Sequence, residues 1–216
     1  MNRMVWHIVR RVVRTLRKCD SLLMGAVTRL YLRLHGVEVG SALSVRSLPL
    51  CRRHDRAIIR MGDAVSIANR FCENVAGVTH RTALIAANPG ARLLIGNHVG
   101  ISGAVLYCTT EIIIEDYVNI GAGARIYDTD FHSLDSLDRR RHDTSRIKSA
   151  PVRICEDVFI GANAFVLKGV TVGPRTIVGA GAVVTKSLPP DVIAAGNPAR
   201  IVSDLVSRQM KQPPQP

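Results

Sequence analysis

Aliphatic residues stand six apart at Ile154, Ile160, Val166, Val172, Val178 and Val184. A helix repeats at about 3.6 residues and a strand at about 2, so neither makes this spacing. It describes a chain coiling around a triangular prism, one short flat side per six residues. The aliphatic residue on each side points inward and stacks on its equivalents one coil above and below. Stacking buries an apolar column that no single coil can bury alone. Gly161, Ala164, Gly179 and Ala182 are small enough to let the chain turn between sides.

Upstream the pattern is broken. Val39-Gly40, Ile59, Val65 and Phe71 hint at early, irregular coils. Ile95-Gly96-Asn97-His98, Ile101 and Tyr107 form a cleaner run. After a one-residue slip, Ile114, Ile120 and Ile126 resume the period. From Tyr127 to about Pro151 the chain is polar, charged and aperiodic, reading DTDFHSLDSLDRRRHDTSRIKSA. One loop of roughly 25 residues thus interrupts the solenoid, and loops of that length in compact domains are usually functional or disordered. The segment KSLPPDVIAAGNPARIV ends the period at Pro189 and Pro190, and residues 198–210 are expected to form a short closing helix.

The first 35 residues follow a helical period instead. Met4, Val5, Ile8, Val9, Val12 and Leu16 share one face of a helix over 3–18, with Arg3, Arg10, Arg14 and Arg17 largely on the other. Asp20-Ser21 can cap a second helix whose apolar set is Leu22, Leu23, Ala26, Val27, Leu30 and Leu34, ending at Gly36. The expected organisation is a basic helical extension over 1–35, a solenoid over 36–188 carrying the loop 127–153, and a C-terminal segment over 189–216.

Charge sharpens the reading of the extension. The chain's formal charge is +12, and residues 1–35 hold eight basic residues against Asp20 alone. Three readings compete for these helices: packing against the core or a neighbouring subunit, docking on an anionic membrane surface, or binding nucleic acid. Arginine on one face with Trp6 and aliphatics on the other suits the membrane. No recognised nucleic-acid fold accompanies the charge, so nucleic acid is not an expected partner. No apolar run approaches the ~18–20 residues that cross a bilayer, and arginines interrupt every candidate signal-peptide core. The five cysteines are odd in number, scattered and free of any C-x-x-C pair, which favours a reducing compartment over a disulfide framework. Apolar content is 47% but aromatic content only 4%, so the core is aliphatic, as thin repeated layers require.

The stretches IGANAFVLKGVTVGPRTIVGAGAVVTKSLPPDVIAAGNPARIV (160–202) and IYDTDFHSLD (126–135) resemble the hexapeptide-repeat acyltransferases. They look like the maltose/galactoside acetyltransferase branch, nearest to colanic-acid-type polysaccharide O-acetyltransferases. The resemblance covers roughly residues 36–202 and leaves out the arginine-rich helices. It implies a mainly β fold: a left-handed parallel β-helix with an α-helical N-terminal extension and a short C-terminal helix. It also implies a homotrimer with the active site between protomers, acetyl-CoA as acyl donor, no metal, and a sugar or glycan acceptor in polysaccharide biosynthesis. The expected location is cytoplasmic, with peripheral contact at the inner membrane surface through residues 1–35 as one reading of the extension.

Residue by residue, the family's catalytic histidine matches His132. A sugar hydroxyl is a poor nucleophile at neutral pH, and a neutral imidazole within hydrogen-bond reach can take its proton during attack on the thioester. Asp130, or a backbone carbonyl, is expected to hold the ring's tautomer. Asp128 is a candidate acceptor contact, with capping of loop turns as the competing role. The branch binds its acceptor with an asparagine where this chain has Ser102. Ala162 and Ala180 match positions beside the pantetheine arm, Thr185 and Lys186 positions near the nucleotide, and Arg200 an arginine that reaches a phosphate.

Three rival functions are compatible with parts of this pattern. One is N-acetylation of an amino sugar. Another is a non-catalytic trimeric scaffold. The third is a zinc lyase of the γ-carbonic anhydrase type, which needs converging histidines. His80, His98, His132 and His142 offer no short in-register pairing for it.

Overall fold

The structure is a computed structural model that describes residues 22–69 and 77–205. The six residues that define the period all have zero exposure. They end strands in three parallel sheets, taken in rotation. Sheet 1 stacks Glu38–Val39, Ile58–Met61, Arg92–Ile95, Glu111–Ile114, Val152–Ile154 and Thr171–Val172. Sheet 2 stacks Ser44–Val45, Ser66–Ile67, Gly100–Ile101, Asn119–Ile120, Phe159–Ile160, Ile177–Val178 and Val192–Ala195. Sheet 3 stacks Leu50–Arg53, Ala83–Ala86, Val105–Cys108, Arg125–Tyr127, Phe165–Val166 and Val183–Val184. Ile154 pairs with Val172, Ile160 with Val178 and Val166 with Val184, so each aliphatic residue lies over its equivalent one coil away. The fold is a left-handed parallel β-helix. In sheet 1 the upstream column is unbroken, with Ile59, Leu93, Ile112 and Val152 stacked in register, while residues 68–82 interrupt the early coil between Ser66–Ile67 and Ala83–Ala86. Phe71 lies outside the described residues.

Coils one strand spacing apart leave no room for side chains at the tightest corner. A Cβ added at Gly161 would lie 2.5 Å from the Ala180 nitrogen, and one at Gly121 2.6 Å from the Ala162 nitrogen. The corner between sheets 1 and 2 turns through left-handed residues instead. Ala64, His98, Tyr117, Asp157, Arg175 and Asp191 have φ between 54° and 60°. Such a conformation costs an L-residue roughly 1–2 kcal/mol. Side-chain caps offset it: Asp63 accepts the Ser41 N–H at 2.6 Å, Asn97 that of Asp63 at 2.8 Å, and Asp116 that of Asn97 at 2.7 Å. The Asn97 donors hold the Asp116 carboxyl below its ordinary range.

The outward faces differ in chemistry. Sheet 1 carries ion pairs, Glu38 with Arg60 and Arg92 with Glu111, and Glu115 pairs with Arg153 beside it. Sheet 3 presents Val105, Tyr107, Tyr127, Phe165 and Val183, all half-buried.

Residues 22–34 are helical, but the helix is turned around relative to its apolar set. Gly25, Thr28 and Leu32 are the buried face. Gly25 makes the approach possible, since a Cβ there would sit 2.9 Å from the Leu43 carbonyl oxygen. Leu22, Leu23, Val27, Leu30 and Leu34 face outward, 44–78% exposed. Packing of this set against the chain's own core is therefore corrected. The prism end is narrow, and one small-residue stripe suffices to seat a helix there. The helix expected over 3–18 lies outside the described residues.

Of the closing helix expected over 198–210, residues 200–204 are corrected, while Leu205 is helical and 206–210 lie outside the described residues. Arg200–Asp204 is a strand that runs antiparallel to Val192–Ala195. Ile201 and Val202 favour extended backbone, and sheet 2 offers them an open edge. Residues 206–216 lie outside the described residues.

The long loop leaves sheet 3 after Tyr127 and enters sheet 1 at Val152. Its root is a fully buried carboxylate. Asp128 accepts the backbone N–H groups of Thr109, Thr110 and Glu111 at 2.6–3.0 Å, and the hydroxyls of both threonines at 2.9 Å. Three amides of the neighbouring coil thus depend on one side chain. Asp128→Ala is expected to lower unfolding free energy by about 3 kcal/mol or more, because each buried donor left unpaired costs about 1–3 kcal/mol. Urea unfolding measures it, and a loss below about 1 kcal/mol would contradict this role.

Candidate functional site

Above its root the loop is a short hairpin. Ala150 N–H donates to the Asp128 carbonyl, Thr129 bridges Ser149, and Asp130 N–H donates to the Lys148 carbonyl at 3.0 Å. The chain then reverses in three residues. His132 N–H reaches back to the Asp130 carbonyl at 2.7 Å across Phe131, whose φ is 62°. An i→i+2 bond around a left-handed centre is a strained turn. The Phe131 ring is held by Tyr107 at 4.6 Å and edge-on by Tyr127 at 4.9 Å. Beyond the turn, the Ser133 hydroxyl donates to buried Asp138 at 2.6 Å, and Arg139 donates to the Ser133 and Leu134 carbonyls. Asp138 belongs to a helix, Ser136–Arg141, that the aperiodic sequence did not reveal. Arg146 pairs with Asp138 from the returning limb. His132 thus sits between two fixed points with its side chain exposed, and the ring makes no hydrogen bond among the described residues.

Two sequence expectations change here. The Asp130 carboxylate does not hold the His132 ring: Oδ1 pairs with Lys168 Nζ at 2.5 Å, and Oδ2 is buried without a partner. Asp128 is not open to an acceptor, since its oxygens are committed to the root of the loop. Lys168 was missed. Its signal was its spacing: it lies one coil before Lys186, in the column that the Phe165–Val183 and Val166–Val184 pairings set.

A pocket of about 340 Å³ opens against this loop. Tyr107 and Phe131 form an aromatic wall, and Asn88, Thr129, Thr144 and Ser149 supply amide and hydroxyl groups. A second pocket, about 320 Å³, lies on the outer face of sheet 2, where Ser102 is joined by Ser66, Asn119 and Phe159.

The remaining candidates divide between two edges of the prism. Ser102, Ala162 and Ala180 follow strands of sheet 2, at the corner leading to sheet 3. Ala162 gives its carbonyl to Gly181 N–H, while the N–H groups of Ala162 and Ala180 donate to no backbone carbonyl among the described residues. Arg200 is exposed on the return strand beside sheet 2. Thr185 and Lys186, both exposed, follow sheet 3 at the corner that carries the His132 loop. Within one protomer the width of sheet 3 separates these groups.

Other nucleophiles are poorly placed. Cys108 is buried beneath the loop and burial pushes its thiol up to about 12; Cys51 is pushed up to about 11. Neither supplies thiolate near neutral pH. Among the described residues, no three His, Cys, Asp or Glu side chains cluster as metal ligands.

Comparison with known proteins follows the same repeats. Residues 151–186 match the model of the bacterial transferase hexapeptide (six repeats). The chain is 42% identical to galactoside O-acetyltransferase of Escherichia coli (strain K12) over 60 residues, 28% of this chain and 30% of that protein. The matched segments span only 23–30% of the length of this and other curated relatives. AntD, an N-acyltransferase from Bacillus cereus solved with dTDP and 3-hydroxybutyryl-CoA, shares the fold: TM-score 0.60 at 18% identity, covering 85% of this chain and 93% of that one. A hexapeptide-repeat-containing acetyltransferase from Vibrio cholerae O1 biovar eltor, solved with acetyl coenzyme A, is 34% identical over 59% of this chain and 72% of its own, with TM-score 0.48. On that sequence identity, rather than on the superposition, the chain belongs to the hexapeptide-repeat acetyltransferase family.

Proposed function

We propose that the protein is an acetyl-CoA-dependent O-acetyltransferase acting on a sugar hydroxyl of a glycan or polysaccharide precursor. The observation that carries this reading is the exposed His132 ring, held on a stapled loop beside a pocket of aromatic and hydroxyl groups. The imidazole takes the hydroxyl proton as the sugar oxygen attacks the thioester carbonyl. The tetrahedral oxyanion needs N–H donors, which the exposed turn amides of a coil edge are suited to give. Collapse expels the coenzyme A thiolate, and the imidazolium returns the proton to sulfur. Lys168 and Asp130 take a positioning role, fixing the hairpin to the coil below. N-acetylation follows from the same geometry with an amine as nucleophile, but the neutral lining of the pocket favours a hydroxyl.

The donor is assigned to the corner of Ala162 and Ala180, where small residues and free amides suit a pantetheine arm. Thr185, Lys186 and Arg200 are assigned to its nucleotide end, and Ser102 to the acceptor. These groups lie on different edges, so one complete site requires two protomers. A homotrimer meets that requirement, and the half-buried Phe165 and Val183 on the later coils of sheet 3 support it.

The outward leucines of residues 22–34 are assigned to a membrane surface. Together with the basic residues of the first 35 positions they suit anionic lipid. Among the described residues, no helix is long and apolar enough to cross a membrane.

His132→Ala is expected to lower acetyl transfer about 10²–10⁴-fold in a free-thiol assay with acceptor sugars, the usual worth of a general base; near wild-type turnover would remove His132 from the chemistry. Leu23→Ser with Leu30→Ser is expected to weaken cosedimentation with phosphatidylserine vesicles severalfold while leaving the fold intact. Unchanged sedimentation of the double variant would mean that the stripe is covered by protein instead.

A further inference from the structure

Tyr107 is the common wall of two pockets that follow one another along the outer face of sheet 3. The first is the pocket beside Phe131, whose lining carries no acid and no cation. The second, about 350 Å³, is lined by Arg52, Arg53 and His54 together with Ile85, Ala86 and Ala87. Ala87 of the second and Asn88 of the first are consecutive, so the two spaces meet at that peptide.

The second pocket is one-sided in charge, for its lining contains no Asp or Glu. Arg53 donates to carbonyls from two of its nitrogens: Nε to His35, and NH1 to Asp55 at 2.9 Å, Ala57 at 2.6 Å and His54 at 3.3 Å. Carbonyl dipoles satisfy the guanidinium without cancelling its charge. His54 accepts the Arg56 N–H at Nδ1, 3.2 Å away, which leaves the ring proton on Nε2 as a donor. Arg52 is exposed and has no hydrogen bond or ion pair among the described residues. It stands in register with Ile85 and Tyr107 on one outward row. Two strand spacings, roughly 9–10 Å, separate Arg52 from Tyr107. One hexose ring with a phosphate ester spans that distance.

We propose that the acceptor is a sugar phosphate, its ring against Tyr107 and Phe131 and its phosphate against Arg52 and His54. Guanidinium and imidazole N–H groups match phosphate oxygens, and the neutral pocket matches a pyranose with its apolar face on the rings. The inference rests on the assignment of His132 to acyl transfer and names the class of acceptor. Coenzyme A also carries phosphates, but the corner assigned to it lies on later coils. The Arg52 pocket lies on the early coils, on the other side of the loop.

The test is calorimetry on the full chain with the 1-phosphates of glucose, galactose and N-acetylglucosamine, each against its methyl glycoside, and with coenzyme A. Wild type is expected to bind at least one sugar phosphate about tenfold or more tighter than its methyl glycoside, the worth of one charge-assisted contact. Arg52→Gln is expected to erase that preference and Arg52→Lys to restore part of it, with coenzyme A affinity the same in all three. No preference in wild type for any of the three phosphates would overturn the proposal. So would a loss of coenzyme A affinity in Arg52→Gln equal to the loss for sugar phosphate, since the pair would then serve the donor. Failure of wild type to bind coenzyme A would instead overturn the acyl-transfer reading, while the sugar-phosphate preference is decided by its own titration.

Discussion

Each coil of this molecule must lie within backbone hydrogen-bonding distance of the next along its whole perimeter. That single constraint selects the residues. It puts aliphatic side chains of similar bulk inside, because an oversized one would tilt a layer and break two sheets. It removes the side chain at Gly121 and Gly161, where backbone meets backbone. It also governs the long loop. The chain must leave sheet 3 and enter sheet 1 without shifting the register of the coil it interrupts. Asp128 meets that need by binding the preceding coil at the point of departure, and the Thr129–Ser149 bridge returns the outgoing and incoming limbs side by side.

A loop fastened this way behaves as part of the scaffold rather than as an appendage. The strained turn at Phe131 persists because rings on the coil below hold it, and a side chain two residues beyond is buried against Asp138. His132 is the residue between these anchors, exposed and with no hydrogen bond to its ring among the described residues. Such placement suits the general-base role proposed for it. In the proposed trimer, the corner of small residues across sheet 3 complements it from a neighbouring protomer.

Much of this was legible in the chain. A six-residue period admits one architecture, and all six residues that defined it are buried where the period puts them. The break in the period located the loop, and the resemblance of IYDTDFHSLD to the family's motif singled out His132. What escaped was set by contacts distant in sequence. Asp130 reads as a partner for the next-but-one residue, but its Oδ1 pairs instead with Lys168 on the following coil. The early coils read as irregular because Ser, Gly and Arg occupy outward positions that the fold leaves free, while Ile59 and Leu93 keep the inward column intact. The helical apolar set of residues 22–34 showed an amphipathic helix but not which face the prism would take. Gly25 decided that, by allowing a closeness that the leucines do not. The strand Arg200–Asp204, where a helix was expected, reflects an open sheet edge that is set by residues distant in sequence.

A stack of identical parallel coils has no intrinsic length, since each end presents the same unsatisfied edge to which another copy can add. Here the ends are unlike anything that could continue the stack. The helix of residues 22–34 lies across the first coil, and Arg200–Asp204 runs backwards along the last strand of sheet 2. A strand of reversed direction cannot template a further parallel layer. The same few residues that close the prism therefore oppose head-to-tail addition at the edge of sheet 2.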